Sequence, residues 1–112
     1  MRMWMVDPRG MCRQHLLGEH SELHKFAPGW AKGCGLGGYV KSNCIEPESY
    51  ARRHDELVAE MHSRGYTHRT PLAQPDFSYL LKEHREAVVD REASLRELLT
   101  RCPRCRERFG NI

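Results

Sequence analysis

No apolar run in this sequence is long enough to span a membrane, and the opening stretch MRMWMV is too short before DPRG to form the core of a secretory leader. The pattern of a disulfide framework is also lacking, because the five cysteines are odd in number and unevenly spaced. Neither an internal repeat nor an alternating strand pattern is found. We therefore expect a protein of the cytoplasm that has free thiols and no membrane attachment.

The chain is short and only mildly charged. Its 112 residues predict one domain, residues 1–112, with a modest core and an open surface groove rather than a deep cavity. The formal net charge of +3 is by itself typical of an ordinary soluble protein. However, 14 of the 18 basic residues are arginines, whose planar fork of donors fits phosphate oxygens. This composition leans toward a nucleic-acid partner.

Three segments have the apolar spacing of helices, and irregular connections join them. They are expected from about Arg9 to Phe26, from Pro47 to Gly65, and from the N-cap Asp90 to Pro103. The glycine-rich stretch APGWAKGCGLGGYVKSN between the first two is predicted to be a loop. The inward side of the third helix would consist of Val88, Leu95, Leu98, Leu99 and Cys102. The predicted fold class is therefore all-α, a compact three-helix single domain with long irregular loops.

The first helix carries polar side chains on the face that should be buried. At 100° per residue, His15, Glu19 and Glu22 share a broad face with Leu16 and Leu23. Burying carboxylates is unfavourable unless each has a partner or lines a wet cleft. Either the two glutamates pair with arginines from other helices, or they belong to a functional site, where local rules are often broken.

The order of these residues resembles the segment around the catalytic glutamate of the pyrimidine-dimer DNA glycosylases of the phage endonuclease V type. In QHLLGEHSEL, the matching positions are Gln14, His15, Leu16, Glu19, Glu22 and Leu23. RHDELVAEMHSRGY resembles the second helix of that family, and REASLRELLTR resembles the start of its third. The resemblance implies a compact all-α repair enzyme of similar size, in the cytoplasm of a bacterial or phage-infected cell.

In that family the chain's own α-amine attacks the sugar, so the resemblance assigns catalysis to the N-terminus. An α-amine has a reference pKa of about 7.7–8.0, which leaves a useful neutral fraction at physiological pH. Counting back from the glutamate places Met1 at the position of the nucleophile and Arg2 at that of the family's arginine. Because Arg2 is bulky, we expect Met1 to be retained. Glu22 would be the catalytic carboxylate, and Glu19 would position a basic neighbour.

The implied activity is that of a DNA glycosylase with associated abasic (AP) lyase activity on a cyclobutane pyrimidine dimer, through an imine and β-elimination. The partner would be double-stranded DNA carrying a damaged or modified base, bound by a monomer that needs no cofactor. The basic residues expected at the DNA backbone are Arg2, His15, Lys25, His54 and Arg101. His54 lies in the apolar stripe of the second helix, so a core histidine is an equally good interpretation of it.

The C-terminal tail departs from the family. Residues 101–112 are basic and contain one aromatic residue, whereas the phage enzymes end in an aromatic, basic tail. Cys102 and Cys105 have the spacing of half a zinc site, but no second CxxC pair is present. Cys34, Cys44 or a histidine would have to complete such a site, so we predict no metal and expect the two tail cysteines to cap helices. Two other hypotheses stay open: a nucleic-acid binding protein that has lost the chemistry, and a small zinc-stapled interaction protein.

Overall fold

Helices make up all of the regular secondary structure in residues 1–68 and 70–112, which are the residues that the computed structural model describes. Their bounds are α1 Arg13–Ala31, α2 Gly37–Lys41, α3 Tyr50–Ser63, α4 Lys82–Arg85, α5 Arg91–Arg101 and α6 Pro103–Phe109. The predicted all-α class is confirmed, and α1, α3 and α5 correspond to the three helices expected from the sequence. No helix in this described part is both long and apolar enough to cross a membrane.

The ends of α3 and α5 follow the sequence signals closely. The Asp90 carboxylate accepts the amide hydrogen of Ala93 at 3.1 Å, which caps α5 as predicted. Gly65 follows α3 with a φ of +83°, a left-handed conformation that glycine adopts without strain. Pro47 opens a 3-10 turn, Pro47–Ser49, and α3 begins directly after it. Local capping chemistry therefore places these helices along the chain.

The first helix begins four residues and ends five residues later than predicted, and part of the predicted loop after it is helical. It begins at Arg13 because Cys12 is its N-cap, and it continues through Pro28 for most of another turn. The prediction of an end at Phe26 is wrong, because the buried Trp30 ring packs on Phe26 and holds the last turn in helical form despite the proline. The short helix α2 then lies inside the glycine-rich stretch.

The third predicted helix differs from expectation at both ends. Val88 is 71% exposed, so its assignment to the inward side is wrong. It lies in the non-helical segment before Asp90, where helical phase does not apply, and Val89 is buried instead. Cys102 is buried as predicted. Pro103 ends α5 but also begins α6, because proline is well suited to a first helical position.

The first residues of the chain run through the interior instead of lying on the surface. Met3–Val6 are all buried and belong to the hydrophobic core. Three hydrogen bonds hold the backbone of this segment: the Met3 amide donates to the Cys44 carbonyl at 2.7 Å, the Ser94 hydroxyl to the Trp4 carbonyl at 2.6 Å, and the Arg53 guanidinium to the Val6 carbonyl at 2.7 Å. The position of the N-terminus is therefore set by the core.

Glu19, the first of the two glutamates on the inner face of α1, is paired inside the core. Its oxygens accept from Nε and Nη2 of Arg53 at 2.7 and 2.9 Å, and both side chains are fully buried. Burial raises the pKa of Glu19, and the hydrogen bonds from Arg53 act against that shift. Because Arg53 also donates to the Val6 carbonyl, one guanidinium links α1, α3 and the N-terminal segment.

Replacing Arg53 tests this linkage. We expect Arg53→Met to lower the free energy of unfolding by about 3–5 kcal/mol, because Glu19 would be left as an unpaired buried charge. Urea unfolding followed by circular dichroism measures the change. The matched control is Arg52→Met, one position away on the same helix, where the side chain is exposed and a loss below about 1 kcal/mol is expected. Equal losses in the two variants would contradict this role of Arg53.

Candidate active site

The α-amine of Met1 lies 2.9 Å from Oε2 of Glu22, within direct ion-pair distance. The Met1 side chain packs against the core, whereas the Glu22 side chain is 39% exposed at the surface. The carboxylate therefore contacts the amine on one side and is accessible to a ligand on the other. This contact brings together the two groups to which the family resemblance assigned catalysis.

The contact arises from the spacing along α1 and from the buried path of the N-terminal segment. Glu19 and Glu22 are three residues apart and lie on one side of the helix, the first fully buried and the second at the surface. The N-terminal segment emerges from the core at Met1 and Arg2, which are both half-buried. Because Met3–Val6 is anchored inside the protein, the amine lacks the mobility of an ordinary chain end.

Arg2 and Arg101, two of the predicted DNA-binding residues, meet at one carboxylate. Arg2 donates to both oxygens of Glu97 at 2.9 and 2.7 Å, and Arg101 donates to the same carboxylate at 2.9 Å. Hydrogen bonds from Arg2 lower the pKa of Glu97. The guanidinium carbons of Arg2 and Arg101 lie 3.9 and 5.8 Å from the centre of the Trp4 ring. Since Arg2 directly follows the amine in the chain, this cationic group borders the candidate active site.

The other three predicted DNA-binding residues differ in accessibility. Lys25 is exposed on α1, three residues after Glu22 and on the same side of the helix. The His15 ring is partly buried, and its Nδ1 is directed at cysteine sulfurs. His54 is only 1% exposed, which agrees with the core interpretation rather than with a contact to DNA. Of these three, Lys25 has the most direct access to a phosphate.

The structure also contains two groups of possible metal ligands, most of whose members were not predicted as site residues. Within the described residues, these groups are Cys12, His15, Cys102 and Cys105, and His20, His24, His54 and His68. In each group, one ligand atom per residue lies within 4.8 Å of the others. Burial, and then the neighbouring imidazoles, lower the pKa of His20 to about 4, so this ring is neutral at physiological pH. Neutral imidazole is the form that binds metals.

The sequence contains a signal for each group, although a spacing alone does not establish a site. Cys12 and His15 are three residues apart, as are Cys102 and Cys105, and such spacings are typical of zinc ligands. Two histidines of α1 are four residues apart and therefore share a helix face. What the sequence does not show is that residues from distant segments meet. The fold supplies that information.

Comparison with known proteins identifies a family. The family model described as pyrimidine dimer DNA glycosylase matches residues 1–74 of the 112, a range that includes α1, α3 and the Met1–Glu22 pair. No curated protein and no solved structure matches the chain significantly. The matched range covers more than half of the sequence, in agreement with the resemblance of QHLLGEHSEL. The chain belongs to the pyrimidine dimer DNA glycosylase family.

Proposed function

We propose that this protein is a DNA repair glycosylase with AP lyase activity that removes the base of a cyclobutane pyrimidine dimer. One observation carries the proposal: in a member of this family, the Met1 α-amine lies 2.9 Å from Oε2 of Glu22. A general acid–base group must be within hydrogen-bond reach of the proton that it moves, and Glu22 meets this condition. Because its side chain is partly exposed, a substrate could contact the carboxylate from the solvent side.

Catalysis would begin when the neutral form of the amine attacks C1′ of the damaged nucleotide. A nitrogen–carbon bond forms, the glycosidic bond breaks, and its electron pair leaves with the base, which then takes up a proton. The ionised Glu22 carboxylate stabilises the positive charge that develops on the sugar. At 2.9 Å it can also receive the proton that the amine loses.

The second stage would use the same two groups. Opening of the sugar ring gives an imine between the Met1 nitrogen and C1′, and loss of a proton from C2′ then expels the phosphate on the 3′ side. Glu22 is within reach to move these protons. Hydrolysis of the imine frees the amine for another turnover. The bond changes therefore need no cofactor.

The DNA would lie over the surface that carries Arg2, Lys25 and Arg101. Their cationic groups offer phosphate contacts around Glu22, and such contacts hold a duplex in register. Enzymes that act on a base must also expose it, so part of the binding free energy goes into distorting the duplex. Glu97 opposes binding at this surface, because its carboxylate pairs with both arginines.

The Glu22→Gln variant separates an enzyme from a protein that only binds DNA. We expect it to bind dimer-containing duplex DNA with near-normal affinity but to lose about 10²–10³-fold in base removal, because an amide cannot stabilise the developing charge. Single-turnover strand cleavage, resolved on denaturing gels, measures the rate. Glu83→Gln, which changes an exposed carboxylate on α4, is the matched control and should keep full activity. Equal activity of the two variants would contradict the role of Glu22.

Borohydride trapping tests the imine itself. Untagged protein whose intact mass includes Met1 is incubated with duplex DNA that contains either a cyclobutane dimer or an abasic site. We expect an adduct on both DNAs, mapped to the Met1 nitrogen and abolished by a short N-terminal extension, because borohydride reduces an imine to a stable amine. An adduct on abasic DNA alone would overturn the dimer as substrate. No adduct on either DNA would overturn the imine mechanism and would favour the alternative hypothesis of a nucleic-acid binding protein without catalytic activity.

Substitution of Glu97 tests the DNA-binding surface. We expect Glu97→Gln to bind duplex DNA roughly fivefold more tightly, equivalent to about 1 kcal/mol, because Arg2 and Arg101 become free to contact phosphate. Fluorescence anisotropy at two salt concentrations measures the affinity and its salt dependence. Glu92→Gln, an exposed carboxylate on the same helix, is the control. Unchanged or weaker binding would show that Glu97 holds the arginines in place instead of competing with DNA for them.

A further inference from the structure

Three cysteines and a histidine from the two ends of the chain converge at one point. Cys12 caps α1 and His15 lies in its first turn, while Cys102 and Cys105 lie at the junction of α5 and α6. The three cysteines of this group are buried, unlike the exposed Cys34. The proposed reaction uses none of these four side chains, so catalysis does not explain why they lie close together.

The separations between their ligand atoms are those of a tetrahedral zinc site. Nδ1 of His15 lies 3.3 Å from Sγ of Cys12 and 3.7 Å from Sγ of Cys105, and the sulfurs of Cys12 and Cys102 are 3.9 Å apart. Zinc bonds of about 2.3 Å to sulfur and about 2.0–2.1 Å to nitrogen place tetrahedral neighbours about 3.5–3.8 Å apart. A disulfide explains less, because it would draw two sulfurs to about 2.05 Å and leave the third cysteine and the histidine unused.

Backbone amides are directed at all three sulfurs. The amide of His15 donates to Cys12 at 3.5 Å, that of Cys105 donates to Cys102 at 3.4 Å, and that of Cys12 donates to Cys105 at 3.2 Å. Such hydrogen bonds orient the sulfurs and would stabilise the charge of thiolate ligands once a metal is bound.

We propose that a zinc ion is bound in a closed site formed by Cys12, His15, Cys102 and Cys105. Four protein ligands leave no open position, so the ion would be structural. It would join the start of α1 to residues 90 positions away in the chain and would fix Arg101, the neighbour of Cys102, beside Trp4. The capping expected of the tail cysteines is compatible with this role, because Cys102 is also the N-cap of α6.

Metal analysis of untagged, full-length protein after dialysis against excess Zn²⁺ tests this site. We expect Cys105→Ser to contain about one zinc ion fewer per chain than wild type, and the control Cys34→Ser to contain the wild-type amount. Chelation should lower the Tm of wild-type protein, since the bound ion stabilises the folded state.

A second readout on wild-type protein covers the case in which Cys105→Ser does not fold. Replacement of zinc by Co²⁺ should produce a thiolate-to-cobalt charge-transfer band, and only the cysteines outside the group, Cys34 and Cys44, should react rapidly with a thiol reagent before chelation. Folded wild-type protein that shows no such band, and whose thiols react equally with and without chelator, would overturn the proposal.

A second group, independent of the first, consists of four histidines. His20 and His24 are four residues apart on α1, on the side away from Glu22, while His54 lies on α3 and His68 follows that helix. Nε2 of His54 lies 3.0 Å from Nε2 of His24 and 3.2 Å from Nε2 of His68. One nitrogen of each ring thus lies within 4.8 Å of a nitrogen of every other ring in the group.

The hydrogen bonds around this group point to a cation at its centre. Nδ1 of His54 lies 2.9 Å from Oδ1 of Asp55, so the carboxylate holds the proton on Nδ1 and leaves a lone pair on Nε2. Among the described residues, Nε2 of His20 is buried without a hydrogen-bond partner. A buried nitrogen of this kind normally has a partner. A metal ion would give this nitrogen a partner and would share Nε2 of His54, which otherwise lies at hydrogen-bond distance from His24 and His68.

We infer that the four histidines bind a divalent transition-metal ion, with Zn²⁺ as the probe. The ion would tie α1 to α3 and to the segment after it. Wild-type protein should then contain about two zinc ions per chain, His20→Gln about one, and the control His84→Gln, on α4, about two. His20→Gln should keep the thiolate-to-cobalt band. Equal zinc contents in His20→Gln and wild type would overturn this second site and leave the first unaffected.

Discussion

The passage of Met3–Val6 through the core is the constraint on which the candidate site depends. A chain end is normally mobile, and an amine that moved freely would meet Glu22 only rarely. Here the side chains of the segment are buried, and the Ser94 hydroxyl and the Arg53 guanidinium bind its carbonyls. The two residues before the segment are therefore held at the surface beside Glu22. Preorganisation of the proposed nucleophile is thus built into the folding of the core.

The same constraint explains why two carboxylates occupy the inner face of α1. Glu19 pairs with Arg53, and Arg53 binds the carbonyl that closes the N-terminal segment. Glu22 comes three residues later, on a side of the helix that is partly exposed, and contacts the amine. Glu19 therefore helps to fix the path of the N-terminal segment through Arg53, and Glu22 contacts the amine at its end. Glu19 is a positioning residue, because it acts on the amine only through Arg53.

Local signals predicted the helix ends at Asp90 and Gly65, because side-chain capping and left-handed backbone depend on only a few neighbouring residues. The extension of α1 through its proline was not predictable in this way, since the packing of the buried Trp30 ring decides it.

The histidine group was not predicted from the sequence for a related reason. Two of its members lie on the polar side of α1 and His54 lies in an apolar stripe, and only the contact of α1 with α3 brings these faces together. The amine–Glu22 contact was anticipated from the family resemblance and not from periodicity.

The family match ends at residue 74, yet α5 completes the cationic surface beside the amine. Met1 and Glu22 both lie in the matched part and are held by α1 and the core, whereas Arg101 lies outside it and is adjacent to Cys102. A metal ion at that cysteine would therefore govern the position of Arg101 without touching the reacting groups. On this arrangement, loss of the ion would loosen both Arg101 and the start of α1, the helix that carries Glu22. On the proposed function, the N-terminal part of the chain would supply the chemistry, and α5 would add phosphate contacts at a surface held by contacts between the two ends of the chain.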